Sequence, residues 1–265
     1  MSAMGAVSVH RTPEEEHLAE QERILAELTE QLATRETEFA TTGAEFARFR
    51  ARYLARFAPL YAELDRLEAE IARRVATDLG TAEARAKAAE AEERATDSET
   101  AREDAAAQPE LTSPPSEDLK ALYRRVAKAI HPDLATTTEE RERRTRMMAE
   151  ANAAYAAGDA DALERLAASE ADRPEAVEGD GTGAQLVRVL RKIAQVRRRF
   201  AELDSLEEAL EADPMWALYA RVSQAEATGA DPLAGVEADL LAQIAAAKAR
   251  LAALMMEARH DKREG

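Results

Sequence analysis

Apolar residues recur along this chain with the spacing of helices, and no useful length shows the alternation of a strand. From Leu18 they fall at every seventh position: Leu18, Leu25, Leu32, Phe39, Phe46, Tyr53, Leu60 and Leu67. The second position of the repeat is weak at first, where Gln21, Arg35 and Thr42 stand. It strengthens after Phe46 through Phe49, Phe57, Leu64, Ile71 and Val75. Such a seam is coiled-coil-like and predicts a long helix over 13–79, opened by Pro13 and three glutamates and loosened or kinked at Gly43 and Pro59. The aromatic stripe reads as core rather than as a cofactor box. Residues 1–12 read as a flexible tail. Between Leu79 and Leu111 there is no Val, Ile, Leu, Met or aromatic residue. The stretch 80–115 is therefore expected to be an acidic, Ala/Glu-rich linker, able to form a solvated helix but no core.

The pattern changes over 116–170. Leu119, Leu122, Val126 and Ile130 make one apolar helix face, while Lys120, Arg124 and Lys128 make a basic stripe on another, with Arg125 adjacent. Serines, prolines and acids between Ser113 and Asp118 suit a helix start. Pro132 disfavours helical backbone at His131, so the helix should end near Ile130 and His131, Pro132 and Asp133 should open an exposed loop. A second helix is expected from Thr138 to Ala157, ended by Gly158, with Met148, Ala151 and Tyr155 packing on the first. That gives an antiparallel hairpin with the triplet at its tip. Asp159 can cap a third short helix carrying Leu163 and Leu166.

Residues 171–183 read as a Gly/Pro hinge. Their glycine run is not followed by the lysine and hydroxyl residue of a phosphate loop. Leu186, Val189, Ile193, Val196, Phe200 and Leu203 form another helical stripe, as do Leu233, Val236, Leu240, Ile244, Ala247, Leu251 and Leu254. A C-terminal helical hairpin or three-helix unit is expected over 184–260, with a helix start at Asp213-Pro214-Met215-Trp216. Each stripe needs cover, from this chain or from a second copy through coiled-coil self-association. The fold class is all-α: a helical hairpin set between long coiled-coil helices, with an acidic linker.

Composition narrows the chemistry. Aromatic residues are 4% and charged residues 33% of the 265 residues, a balance that favours long helices over one large globular core. The net charge of −16 argues against nucleic acid or an anionic membrane as a partner of the whole chain, and makes the basic helix at 120–128 stand out. Arg197-Arg198-Arg199 points around a helix rather than along one face, and reads as a solvated face. The absence of cysteine rules out disulfides and thiol chemistry and suits a reducing cytoplasm. No secretory signal and no bilayer-spanning run is evident. The four histidines, His10, His17, His131 and His260, are not at metal-ligand spacing, and no catalytic constellation or cofactor motif is apparent; an enzyme is not expected.

One segment carries more. Leu119-Lys-Ala-Leu-Tyr-Arg-Arg-Val-Ala-Lys-Ala-Ile-His-Pro-Asp133, followed by Glu150-Ala-Asn-Ala-Ala-Tyr155, resembles a J-domain, the part of DnaJ-like co-chaperones that engages DnaK-type heat-shock ATPases. The resemblance covers 116–170. It implies that Lys120, Tyr123, Arg124, Arg125 and Lys128 dock on an acidic surface of the ATPase. It further implies that Asp133 pairs with a cation there while His131 and Pro132 fix the loop, so that ATP hydrolysis by the partner is stimulated. Three departures stand out. The aromatic-rich first helix of the family has no counterpart before Leu111-Thr-Ser-Pro-Pro115. Leu134 follows the triplet where many members carry a basic residue. Met148 and Ala151 stand where the family has larger apolar residues, so the hairpin is expected to need apolar cover from elsewhere in the chain. The alternative is a structural coiled-coil scaffold whose J-like hairpin no longer signals.

Overall fold

The computed structural model describes residues 12–107, 115–135, 137–171 and 181–264, and every regular element among them is helical. The helices are α1 (Pro13–Leu79), α2 (Ala82–Ala107), α3 (Glu117–Ile130), α4 (Thr138–Ala157), α5 (Ala160–Ala171), α6 (Thr182–Glu211), α7 (Trp216–Glu226) and α8 (Ala234–Glu264), with one 3₁₀ turn at Pro132–Leu134. The expected tail at 1–12 and hinge at 171–183 lie mostly outside the described residues. The helices divide between two compact units. One is formed by 1–45 with 113–213, the other by 46–112 with 214–265. α1 contributes to both and is continuous through Gly43 and Pro59.

In the first unit the opening of α1 lies parallel to α6. Leu18 clusters with Val189 and Ile193, and further along Leu32 clusters with Val196 and Leu203. Arg35 then reaches Asp204 at 3.2 Å and Glu207 at 2.5 Å. The weak heptad positions of α1 are thus compensated: α6 covers its apolar stripe. A separate core joins α3, α4 and α5. Tyr123, Val126, Ala127, Ile130, Ala151 and Leu163 are fully buried there, and Ala40 of α1 packs against them. α3 begins at a Ser116 cap, whose hydroxyl accepts from Leu119 N–H at 3.1 Å. α4 begins at Thr137 and ends at Gly158, whose φ of 74° suits a residue without Cβ. Asp159 caps α5 through Ala162 N–H at 2.9 Å.

In the second unit α1 runs on as the central helix. Phe46 meets Trp216 and Tyr219 of α7 at ring separations of 5.4 and 5.5 Å. Arg56 binds Glu237 at 2.6 Å, and Lys248 of α8 binds Glu63 at 2.6 Å. α2 turns back along α1 after Gly80, with Arg94 near Glu68 and Ser98 bonded to Asp65. The stretch expected to stay a coreless linker therefore packs through alanines: Ala84 and Ala91 are buried at heptad spacing. The expected C-terminal unit is also not one body. α6 belongs with the first unit, where α1 covers its stripe, and α7 and α8 belong with the second.

Candidate partner-docking site

Pro132 removes a donor and fixes φ directly after α3, so the chain leaves the helix at His131 (φ −58°, ψ 125°) and closes a single 3₁₀ turn. His131 shapes that turn, its Nδ1 accepting from Asp133 N–H at 3.2 Å. Arg144 of α4 donates to the carbonyls of Ala129 at 3.2 Å and His131 at 3.3 Å, placing a cation at the negative end of α3. The triplet thus lies between α3 and α4 in a turn bonded on both sides.

The exposed loop expected there is not what forms. His131 is only 2% exposed. Its Nε2 lies 3.3 Å from Glu36 Oε1 of α1, itself 2% exposed. Arg199 of α6 completes the group: its Nε donates to Glu36 Oε1 at 2.8 Å and its terminal nitrogen to Glu36 Oε2 at 3.3 Å. A buried carboxylate holds ionised only with cationic or donor partners. Burial would push the Glu36 carboxyl upward, but His131 and Arg199 outweigh it and hold it below its usual value. Asp133 is half-buried, and burial pushes its carboxyl up, with His131 and Arg199 opposing. Gln195, with its amide oriented to satisfy both neighbours, donates to the Asp133 carbonyl at 2.8 Å and accepts from Arg141 at 2.7 Å. Leu134 packs against the Leu32, Val196 and Leu203 cluster. Leu134 is thereby half-buried in an apolar seat.

The basic helix divides by face. Arg124, Arg125 and Lys128 are exposed, while Lys120 is partly covered and pairs with Glu117 at 2.9 Å. Lys128 bonds Glu30 of α1. Tyr123 does not belong to the outward set. It is fully buried, stacks on Tyr155 at 4.5 Å between ring centroids, and donates to Asn152 at 2.5 Å. Three cations therefore share a surface beside the turn, and Tyr123 supports them from beneath. Pro132 and Asp133 keep intermediate exposure.

Glu36 and Arg199 carry the local electrostatics; Glu36 does not stand out in the sequence, and Arg199, which reads there with Arg197 and Arg198 as a solvated face, is instead turned onto Glu36. Glu36 falls four residues after Leu32 and three before Phe39, on the apolar side of α1, and an acid in that place is the available signal. Among the described residues no group of histidines and acids could hold a metal ion, and no helix is long and apolar enough to cross a membrane. No family model, no curated protein and no solved structure matches the chain.

Proposed function

We propose that the α3–α4 hairpin is a J-domain-like docking module, through which the chain binds a DnaK-type heat-shock ATPase in the cytoplasm and stimulates its ATP hydrolysis. The observation that carries this reading is the placement of the His131-Pro132-Asp133 turn at the tip of a capped hairpin, beside outward Arg124, Arg125 and Lys128. Clustered cations speed encounter with an acidic surface, and a turn fixed at both ends supplies specificity. The chain itself catalyses nothing in this scheme. The long helices act as arms that hold a client or scaffold. The test is ATP turnover by a purified DnaK-type ATPase with wild type or His131→Gln added. Stimulation by wild type that falls at least about tenfold in the variant fits a docking contribution of order 1.4 kcal/mol; equal stimulation by both removes the triplet from the mechanism.

A second reading has one observation in its favour, the burial of His131 against Glu36. There the hairpin is a structural part of a helical scaffold, and the triplet only terminates α3. It expects no stimulation by either protein, together with a lower melting temperature for His131→Gln.

A further inference from the structure

Among the described residues the turn is held from its own hairpin by Arg144 of α4, while a further cover comes from α1 and α6, and its chemistry differs from that of the hairpin core. The hairpin core is apolar and fully buried at Tyr123, Val126, Ala127, Ile130 and Ala151. The cover consists of Glu30 on Lys128, Glu36 on His131, Gln195 and Arg199 over Asp133, and the seat of Leu134. Two of the acids on α1 thus face a basic-helix lysine and the triplet histidine. A buried ion pair adds little net stability over an apolar filling, because desolvation offsets most of the attraction. The pair between Lys128 and Glu30 is about half exposed on each side and is weaker still. α3 and α4 hold each other through an apolar core, so opening the cover need not melt the hairpin.

We propose that this cover is a latch. The acidic face of α1, with Arg199, Gln195 and the Leu134 seat, occupies the place of the acidic partner surface and keeps the His131-Pro132-Asp133 turn closed until α1 and α6 move away. The proposal rests on the docking reading above. A partner that binds only the open form must supply the opening free energy, so its apparent affinity is reduced by the open fraction.

The experiment uses the full chain as wild type, Glu36→Gln and Leu134→Ala. The first variant removes the buried charge and the second empties the apolar seat, so one remains informative if the other misfolds. Amide hydrogen exchange at 131–135 reports opening, exchange over 119–130 reports the hairpin, and ATP turnover by a purified DnaK-type ATPase is titrated with each protein. The latch predicts faster exchange at 131–135 with 119–130 still protected, and half-maximal stimulation at about tenfold lower concentration in the variants. Faster exchange with an unchanged stimulation curve overturns the latch and leaves docking in place. Unchanged exchange at 131–135 also overturns it. Absence of stimulation by all three proteins, despite faster exchange, overturns the docking reading and the latch with it.

Discussion

Glu36 is the residue on which the first unit's polar interior turns. Its carboxylate is enclosed between His131 and Arg199, so substitution by alanine leaves one cation without its counter-charge in a place water hardly reaches. Because a quarter of the Arg199 side chain is exposed and Glu202 lies at 3.1 Å, the loss should be about 2 kcal/mol, below that of a fully enclosed pair. Denaturant unfolding of Glu36→Ala measures it. The pH dependence has a definite sign. A carboxyl held below its ordinary value of 4.5 stabilises the fold above that pH, and the contribution disappears as pH falls through the lowered value. Asp133 works the other way: raised by burial, it disfavours the fold once ionised, so acidification relieves part of the loss. The stability gap between wild type and Glu36→Gln should therefore narrow as pH drops below 4.5, as followed by thermal melting. Tyr123→Phe should cost about 1 kcal/mol, since it removes the bond to Asn152 while keeping the ring against Tyr155. Under the docking proposal it should change ATPase stimulation little, because the hydroxyl is bonded inward to Asn152.

At the scale of the element, local rules and long-range packing part company. The end of α3 at Ile130, the span of α4 and its Gly158 terminator could be read from the sequence, because each depends on neighbours within a turn: Pro132, Thr137 and the glycine itself. Gly158→Ala should cost about 1 kcal/mol, as its positive φ disfavours a Cβ. The closure of the turn could not be read, because Glu36 and Arg199 are separated by 163 positions and neither carries a local mark of the other. α2 was hidden for a different reason. A helix without large apolar residues looks solvated, yet Ala84 and Ala91 let it lie close to α1, where small residues suffice. That packing is incomplete: a groove of about 530 Å³ remains between α1 and α2, lined by Ile71, Val75, Ala84 and Ala91 among others. Ala84→Leu should fill part of it and stabilise α2 by about 1 kcal/mol, seen as slower amide exchange over 82–107.

For the whole molecule, the periodic stripes established that helices would bury one another, but not which would pair. A stripe states how much surface must be covered and on which face; it carries no address. Leu186 to Leu203 and Leu233 to Ala247 looked like partners because they are sequence neighbours, whereas the first lies along the start of α1 and the helix of the second, in the other unit, is tied to α1 by ion pairs at Glu237 and Lys248. The consequence concerns oligomeric state. Where a seam is covered by its own chain, its disruption destabilises a unimolecular fold; where a second copy covers it, stability depends on protein concentration. Leu32, 1% exposed among Val196 and Leu203, tests this. Leu32→Ala should lose about 3 kcal/mol, and wild type and variant should each melt at a temperature independent of concentration. A melting temperature that rises with concentration in wild type but not in Leu32→Ala would instead assign the α1 seam to a contact between chains.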